Sequence, residues 1–338
     1  MPTVADDSAA AAPRIRSQFV ASVVGNVSLC REHYLLVLRV AEGFPTTHPG
    51  QFVQLACHEV DPLDHQKGAI DWTDAFPVRL PLSIDDPDLR HPQAMLRRPF
   101  SLAGRRDLPD GATELEVIHR VVGVGTDWLA RRRPGDRVGV LGPLGNRFTL
   151  PSRDDDRGGA ILVGGGVGIP PMLYLAEAIA RAGLSDRSVA FSGAVSRELL
   201  PLTVDERSIS CDEPSLAVAE FARHGIRSVL STDDGSLGFR GFVTQALEAY
   251  LDRRSVSESG AQRKPTLYTC GPEPMMKRVA AIAAQRGLDV QVAVERAMAC
   301  GMGTCQSCCI RVRTAGDDWA YKLACTDGPI FRGDELLW

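Results

Sequence analysis

Ile161-Leu162-Val163-Gly164-Gly165-Gly166-Val167-Gly168-Ile169-Pro170-Pro171, near the middle of the 338-residue chain, is the segment that decides the fold. Its first three residues form a short apolar run typical of a buried strand, and a helical pattern continues to Arg181. Glycines between a strand and a helix let the backbone approach a phosphate at the helix N-terminus. We therefore predict a dinucleotide-binding turn, with a plain tight turn as the alternative. The residues assigned to this turn are Gly164, Gly165, Gly166, Gly168 and Pro170.

Strand-like and helical runs alternate on the C-terminal side of this turn. Ser188–Ala194 and Thr266–Cys270 have the apolar character of buried strands, and a helical pattern follows the second of them. This alternation predicts a parallel α/β sheet, which we assign to residues 158–290 as a nucleotide-binding domain. Ligands bind where the strands of such a sheet end, so we expect Cys270 and Gly271 near the nicotinamide. For Cys270, a plain buried thiol is the alternative.

The N-terminal part of the chain, residues 14–152, consists mainly of short strand-like runs separated by glycine and proline. This pattern predicts a small antiparallel β-barrel, with one helix over Asp127–Arg133. Residues 1–13 are rich in Ala, Ser and Asp and are expected to be disordered. A proline- and acid-rich insert over 57–96 is predicted to be a lid, an interface element or a mobile insert. The strand-like runs are Phe19–Val24, Tyr34–Val40, Gln51–Leu55, Glu114–Val121 and Arg137–Leu141.

The extended segment Arg98-Pro99-Phe100-Ser101 carries an arginine and a serine three residues apart. Both side chains can reach one pyrophosphate, the guanidinium through a charge-assisted fork and the hydroxyl through a lighter contact. Gly125-Thr126 lies near the start of the predicted helix, where backbone N–H groups and the helix dipole favour an anion. A plain helix cap is the alternative for these two residues.

The C-terminal part of the chain contains Cys300-Gly301-Met302-Gly303-Thr304-Cys305-Gln306-Ser307-Cys308, and Cys325 follows. Four residues separate the first two cysteines and two precede the third, which is the plant-type [2Fe–2S] spacing. A zinc site, which prefers paired C-x2-C knuckles, and a fortuitous cluster are the alternatives. Cys309 is expected to point away and pack as a small hydrophobic residue, and it is the alternative ligand. The ligands assigned within a lobe of residues 291–338 are Cys300, Cys305, Cys308 and Cys325.

Composition and charge argue against several classes of protein. The net charge of −4 and the pI near 6.0 disfavour a general nucleic-acid binder. No run reaches the roughly 18–20 apolar residues of a membrane span, and the N-terminus lacks the pattern of a secretory signal. The nine cysteines are odd in number and clustered, which favours redox or metal chemistry over disulfides in a reducing compartment. We therefore expect a cytoplasmic protein that spans no membrane.

In this order, the motifs resemble those of the ferredoxin–NADP reductase superfamily, and more closely those of class 1B dihydroorotate dehydrogenase electron-transfer subunits. The resemblance covers residues 15–55 and 96–338. The closing Ala324–Phe331 segment is the most discriminating of its marks. The other marks are Arg98–Ser101, Gly125-Thr126, Gly142-Pro143-Leu144-Gly145-Asn146, Gly164–Pro171, Thr232-Asp233-Asp234-Gly235-Ser236, Cys270-Gly271-Pro272 and Met298-Ala299-Cys300-Gly301.

The resemblance implies a multi-domain β + α/β fold, with an antiparallel FAD-binding β-barrel, a parallel α/β nucleotide-binding domain and a small C-terminal [2Fe–2S] lobe. It implies a subunit that takes electrons from an FMN-containing dihydroorotate dehydrogenase catalytic subunit and passes them through the cluster and FAD to NAD. The pair would form a heterotetramer, two of each, in de novo pyrimidine (UMP) biosynthesis. No side chain is expected to act as a catalytic acid or base. The residues implied to contact FAD are Arg98, Pro99, Phe100, Ser101, Ile118, His119, Arg120, Gly125 and Thr126.

Two features of the sequence depart from the family pattern. The insert over 57–96 is longer than the family usually has, and Phe100 stands where related reductases often have a tyrosine. The preference between NAD and NADP stays open. Two other functions stay open as well: a FAD/[2Fe–2S] NAD(P)H reductase subunit of a hydrogenase-like or ferredoxin-dependent complex, and a non-catalytic adaptor that keeps the fold.

Overall fold

The computed structural model of the chain describes residues 17–59, 94, 96–151, 158–257 and 264–338, apart from residues 42, 315 and 317. The predictions for residues 1–13 and for most of the insert 57–96 lie outside the described residues. Two seven-stranded sheets and a two-stranded hairpin form the framework of the part that is described.

The first sheet is an antiparallel half-barrel, which confirms the predicted β-rich N-terminal unit. Its strands are β1 (Ser17–Cys30), β2 (His33–Val40), β3 (Phe52–Leu55), β4 (Arg98–Ser101), β5 (Gly104–Asp107), β6 (Thr113–Arg120) and β7 (Arg137–Leu144). Their order is β4-β3-β7-β1-β2-β6-β5, and β4 also contacts β6. In β2, the buried Leu36, Leu38 and Val40 alternate with more exposed residues. This period of two directs one side of the sheet into the core.

The helix predicted over Asp127–Arg133 begins and ends three residues too late: α1 spans Val124–Ala130. The Asn26 side chain of β1 sets its end, because Asn26 Nδ2 donates to three carbonyl oxygens of the last turn at 2.9–3.1 Å. The acceptors are those of Leu129, Ala130 and Arg132. Such a cap comes from about a hundred residues away in sequence, so local patterning could not predict it.

The second sheet is the predicted parallel α/β sheet with one antiparallel edge strand added. Its strands are β8 (Gly158–Gly165), β9 (Val189–Ala194), β10 (Arg227–Thr232), β11 (Phe239–Arg240), β12 (Pro265–Cys270), β13 (Val290–Ala293) and β16 (Ile330–Arg332). The order is β11-β10-β9-β8-β12-β13-β16, and only the β13–β16 pair is antiparallel among these described strands. Its helices are α2 (Ile169–Arg181), α3 (Ala219–Ala222), α4 (Val243–Ser257) and α5 (Glu273–Arg286).

The C-terminal segment contributes both a hairpin of its own and the edge strand β16. The hairpin consists of β14 (Cys309–Arg313) and β15 (Trp319–Leu323). Because β16 pairs with β13, the predicted boundary between residues 290 and 291 falls inside a strand of the shared sheet. The division of the chain into domains stays a prediction.

The turn after β7 joins the half-barrel to the C-terminal segment. Asn146 Nδ2 donates to the carbonyl oxygens of Asp327 and Ile330 at 2.9 and 2.8 Å. Asn146 Oδ1 accepts from the Ile330 N–H at 2.8 Å. Two segments that the sequence marks separately, 142–146 and 324–331, are therefore in direct contact.

Candidate cofactor sites

The glycine-rich turn, which we call the nucleotide loop (residues 164–168), connects the end of β8 to the start of α2. Gly166 has a φ of +53°, and a Cβ added to it would meet no atom of the described residues within 4 Å. Gly168, in contrast, is packed so closely that an added Cβ would lie 2.1 Å from the carbonyl oxygen of Cys270. The loop therefore has an open backbone at Gly166 and a tightly packed end at Gly168, which suits the approach of a phosphate.

The residues after β12 lie directly against this loop. Gly271 has a φ of +151°, and an added Cβ would lie 3.0 Å from the carbonyl oxygen of Gly165. Part of Cys270 is exposed, but burial of its thiol raises the pKa of Cys270 to about 12, so the thiol stays protonated at neutral pH. Pro170 is buried in the first turn of α2. The structure thus brings together the predicted members of the nucleotide site.

Two buried hydroxyl groups lie beside the end of β8 in the parallel sheet, and the sequence analysis did not identify them. Ser192 of β9 pairs with Gly164 and is 1% exposed, and Thr269 of β12 lies opposite Val163. Neither hydroxyl has a hydrogen-bond partner within the described part of the chain. Buried polar groups are rarely left unpaired. Their strands have the composition of plain apolar runs, so only the three-dimensional neighbourhood reveals this polar edge.

An acidic turn follows β10 at the far end of this edge. The Asp233 N–H donates to the carbonyl oxygen of Ala194 at 3.1 Å, which places the turn beside the end of β9. Ser236 Oγ accepts from the Arg197 N–H at 2.8 Å and holds the two loops together. Burial and then the charge of Asp234 raise the pKa of Asp233. This end of the sheet therefore carries negative charge.

The predicted flavin segment forms β4, and all four of its residues are partly exposed. Main-chain pairing with β3 sets Arg98 opposite Leu55 and Ser101 opposite Phe52. Arg98 Nη1 donates to the carbonyl oxygen of Leu96 at 2.8 Å, which turns the guanidinium back along its own segment. The partial exposure of the strand leaves room for a ligand to contact its side chains.

His119 of β6 is the most buried of the predicted flavin contacts, with 1% of its surface exposed. Its ring lies 5.8 Å from that of Tyr34 in a stacked arrangement and 6.0 Å from that of Phe100 in an edge-on one. Neither ring nitrogen has a partner among the described residues. Burial, with a smaller contribution from His33, lowers the pKa of His119 to about 4, so the ring is neutral near pH 7. An unpaired buried imidazole beside Phe100 fits a site for a polar aromatic ligand.

The residues on either side of His119 point elsewhere. Ile118 packs into the core under the parallel sheet. Arg120 Nε donates to Glu32 Oε2 at 2.9 Å in a half-exposed ion pair. The structure therefore shows other contacts for these two side chains, and a flavin role for the three residues stays a prediction.

Gly125 and Thr126 lie in the first turn of α1, which agrees with the alternative prediction of a plain helix cap. Thr126 Oγ1 accepts from the backbone N–H groups of Val122 and Gly123 at 2.9 and 3.1 Å. Gly125 is buried, and an added Cβ would lie 3.1 Å from the Cβ of Cys57. The Thr126 hydroxyl thus caps the start of the helix, while Val122, Gly123 and Val124 are exposed.

The four predicted ligand cysteines fall into two pairs by burial. Cys308 and Cys325 are 2% and 1% exposed and belong to the core, whereas Cys300 is half-buried and Cys305 exposed. The segment 300–308, which we call the cluster loop, is wrapped around the first cysteine. The backbone N–H groups of Met302 and Cys305 both donate to Cys300 Sγ at 3.4 Å. N–H groups directed at sulfur suit a [2Fe–2S] cluster, because hydrogen bonds to the ligand sulfurs help to set its reduction potential.

The ionisation of the thiols follows their surroundings. The Ser307 hydroxyl, 3.2 Å from Cys305 Sγ, and nearby backbone N–H groups lower the pKa of Cys305 to about 6. Burial and a hydrogen bond with Cys308 raise the pKa of Cys325 to about 12. Within the described ranges, no group of three or more His, Cys, Asp or Glu residues surrounds a point suitable for a single metal ion. A [2Fe–2S] cluster does not need such a group, because each of its irons takes two thiolates.

The prediction that Cys309 packs as a small hydrophobic residue is wrong. Cys309 begins β14 opposite Leu323 and is exposed. The side-chain alternation along an extended segment puts Cys308 in the core and its neighbour outside.

Comparison with known proteins gives consistent matches. Residues 295–337 match the family model of the iron–sulfur cluster binding domain of dihydroorotate dehydrogenase B. Over 291 residues, the chain is 32% identical to the dihydroorotate dehydrogenase B (NAD(+)) electron transfer subunit of Desulforamulus reducens, covering 86% of this chain and 87% of that one. The subunit of the same name from Geobacillus thermodenitrificans is 38% identical over 246 residues, 72% of this chain and 80% of its own.

Two solved structures of similar fold are reductases by name. An NADH-dependent reduced ferredoxin–NADP oxidoreductase aligns with a TM-score of 0.64 and 25% identity, covering 94% of this chain and 90% of that chain. A cytochrome P450 reductase from Amycolatopsis aligns with a TM-score of 0.53 and 25% identity, over 81% and 67% of the two chains. None of the helices in the described ranges is long and apolar enough to cross a bilayer.

Proposed function

Because the chain belongs to the family of dihydroorotate dehydrogenase B electron transfer subunits, we propose that the sites described above form its electron path between the catalytic subunit and NAD. The chain is an NAD-linked oxidoreductase subunit with an electron-transfer role in pyrimidine biosynthesis, and its cofactors are FAD, a [2Fe–2S] cluster and NAD. The observation that carries the proposal is the presence, in one chain, of the cysteine set, the half-barrel segment β4 and the nucleotide loop.

The residue assignments belong to this proposal. For the cluster, the ligands are Cys300, Cys305, Cys308 and Cys325. For FAD, the contacts are Arg98, Pro99, Phe100, Ser101, Ile118, His119, Arg120, Gly125 and Thr126. For NAD, they are Gly164, Gly165, Gly166, Gly168, Pro170, Cys270 and Gly271. Support comes from the N–H groups around Cys300 Sγ, the unpaired His119 ring and the open backbone at Gly166.

The protein needs no catalytic acid or base for this role. FAD supplies the exchange of one or two electrons, which links a hydride donor or acceptor to a one-electron cluster. The chain's own residues bind and orient the groups. His119 stays neutral near pH 7 and Cys270 stays protonated, so neither adds a charge beside its proposed ligand.

The acidic turn after β10 favours NAD over NADP in this proposal. An acidic residue at the end of a neighbouring strand accepts hydrogen bonds from the ribose 2′-hydroxyl, and the same charge repels a 2′-phosphate. Asp233 and Asp234 occupy such a place, and the nearby Arg197 is already paired with Glu206 at 3.1 Å. Asp234→Ala should therefore reduce the ratio of NADH to NADPH affinity, measured by calorimetric titration of both nucleotides.

The partner is the catalytic subunit of dihydroorotate dehydrogenase B. A heterotetramer with two of each subunit and a cytoplasmic location are further parts of the proposal. All nine cysteines lie in the described residues and are free thiols, which supports a reducing compartment.

The test uses the full chain with and without the FMN subunit. Alone, the chain should oxidise NADH with artificial dyes but not oxidise dihydroorotate, because the half-barrel, the parallel sheet and the C-terminal hairpin take up the described residues and an FMN-binding (β/α)8 barrel needs about 250 residues. Adding the FMN subunit should restore dihydroorotate-to-NAD transfer. Cys305→Ser should block that transfer and spare part of the dye activity. Dihydroorotate turnover by the lone, FMN-free chain would contradict the division of labour.

A ferredoxin-linked role is the second candidate. The similarity over 94% of the chain to an NADH-dependent reduced ferredoxin–NADP oxidoreductase favours it. Reduced ferredoxin and the FMN subunit with dihydroorotate can be compared as donors to the same holoprotein. A higher rate of NADH formation with ferredoxin would favour this candidate. A purified protein without a flavin and iron–sulfur visible spectrum would instead point to a non-catalytic adaptor.

A further inference from the structure

Gln54 of β3 lies between the proposed flavin segment and the cluster loop. Main-chain pairing sets it opposite Pro99 of β4. Its side chain is 1% exposed, and its Nε2 donates to the carbonyl oxygen of Met298, just before the loop, at 3.4 Å. The carboxamide also lies against Gly301, where an added Cβ would be 2.8 Å from Gln54 Cδ. One buried residue of the strand that pairs with the flavin segment therefore contacts the loop of the first ligand.

A carboxamide is an unusual choice at this position. The other residues of β3 are the buried, apolar Phe52, Val53 and Leu55. A buried amide is unfavourable unless it is hydrogen-bonded, and a methionine would fill the space without that cost. The bond to Met298 is long for an N–H···O contact, and a carboxamide offers two donors and two acceptor lone pairs. The group therefore has hydrogen-bonding capacity beyond this bond, directed at the cluster loop.

A second carboxamide anchors the other ligand segment, so Gln54 is not needed merely to attach the lobe. Asn146 makes three bonds of 2.8–2.9 Å to the segment that follows Cys325. Those bonds reach Asp327 and Ile330, after Cys325. Gln54 contacts the residues on either side of Cys300, namely Met298 and Gly301.

We propose that Gln54 is a positioning residue for the iron–sulfur cluster. Its carboxamide fixes the Cys300 side of the cluster loop on the strand that pairs with the flavin segment. It would thereby set the positions of the backbone N–H groups that donate to Cys300 Sγ. This inference rests on the proposed function, since it requires that both groups bind where the residues above place them.

The test uses Gln54→Met and Gln54→Glu in the full chain, purified anaerobically with its FMN partner. The methionine removes both hydrogen-bonding ends at similar volume. The glutamate keeps the shape but replaces the amide donor with a carboxyl group, whose neutral form is favoured by burial. Gln291→Met is the matched control, because Gln291 bonds the Thr149 backbone through both ends of its amide at 2.8 and 2.9 Å. FAD and iron content, the cluster's reduction potential and the rates of flavin and cluster reduction by NADH are measured.

For Gln54→Met we expect normal FAD content and flavin reduction, with cluster reduction slowed about tenfold, as for other residues that support a metal's ligands. The cluster potential should fall in Gln54→Met, and by less in Gln54→Glu, whose carboxyl keeps part of the hydrogen-bonding capacity. Loss of iron with FAD retained would also support the proposal. Cluster potentials and rates equal to wild type in both variants would overturn it, and if the methionine variant does not fold, the glutamate variant alone decides. If NADH reduced neither the flavin nor the cluster of the wild-type protein, the result would instead contradict the proposed function.

Discussion

The nucleotide loop and the cluster loop both rely on glycine, but for different physical reasons. Gly168 and Gly271 are small because backbone atoms of the same chain occupy the space of a Cβ, at 2.1 and 3.0 Å. Gly301 and Gly303 have φ values of +69° and +91°, which let the chain turn back around the cysteine sulfurs. In the nucleotide loop, Gly168 is thus fixed by internal packing, whereas in the cluster loop Gly301 and Gly303 supply the left-handed turns that wrap the chain around Cys300.

This difference predicts how each region responds to change. The nucleotide loop carries no charged side chain, and one end of it is fixed by the packing of Gly168 against the Cys270 backbone. The proposed cluster site depends on four thiols, three in the cluster loop and Cys325 outside it; Cys308 and Cys325 are buried and Cys305 is exposed. Substitutions that add atoms at a packed glycine should therefore destabilise the nucleotide loop, whereas the loss of a single thiol should disrupt the cluster site.

The largest effect is expected at the cluster ligands. Each of Cys300→Ser, Cys305→Ser, Cys308→Ser and Cys325→Ser should abolish the [2Fe–2S] signal, because a missing thiolate leaves one iron incompletely held. The measurement is iron content and visible absorption of anaerobically prepared protein. Cys309→Ser, at an exposed position, is the control and should keep the signal. Stoichiometric zinc without iron in wild type would refute the assignment.

The next largest effect is expected at the nucleotide loop, where it tests whether packing fixes the backbone. Gly168→Ala should lower the free energy of unfolding by about 3 kcal/mol, because the added methyl meets the Cys270 backbone, which cannot move freely. Gly166→Ala has open space and should cost only about 1–2 kcal/mol, from its positive φ. Urea denaturation followed by circular dichroism measures both. Equal costs would show that the nucleotide loop is not fixed by packing.

A third region, the flavin segment, offers an intermediate case with one charged side chain. Arg98→Ala should weaken FAD binding roughly ten- to a hundredfold, since hydrogen bonds to charged groups are worth about 1.5–3 kcal/mol. Flavin retention after dialysis and titration of the apoprotein measure this. Arg106→Ala removes a mostly exposed arginine near Glu114 and should leave affinity unchanged. Identical retention in both variants would place the pyrophosphate elsewhere.

The smallest effect is expected at Asn26 of the half-barrel, where a single side chain caps α1. Asn26→Ala should lower the free energy of unfolding by about 1 kcal/mol, because it removes the donor to the last carbonyl groups of α1. Ser22→Ala, in the same strand, loses only a 3.5 Å contact and serves as the control. Thermal unfolding of the two variants should separate them, and no difference would count against the cap.

Much of the fold follows from sequence because local patterns repeat. The strand Ile161–Val163 and its glycine turn, the alternation in β2 and the cysteine spacing all depend on neighbours in the chain. The elements that the sequence missed depend on distant partners. Examples are β16, which pairs with β13 across about forty residues, and Asn26, which ends α1 from another strand.

The candidate sites show the same limit. Spacing identified the four cysteines, but not which of them are buried, because burial comes from packing under the hairpin. The hydroxyls of Ser192 and Thr269 lie in apolar runs and become notable only once their surroundings are known. Gln54 carries no local signal at all. Its significance comes from Gly301, almost 250 residues later in the chain.

The central claim is that this chain carries electrons between the catalytic subunit and NAD through its own FAD and cluster. The most direct measurement is an anaerobic spectroscopic titration of the holo complex with dihydroorotate in the absence of NAD. The account predicts that the [2Fe–2S] signal and the FAD absorption both change to their reduced forms, and that added NAD reoxidises both as NADH forms. A cluster that stays oxidised while the FMN of the partner is fully reduced would contradict it.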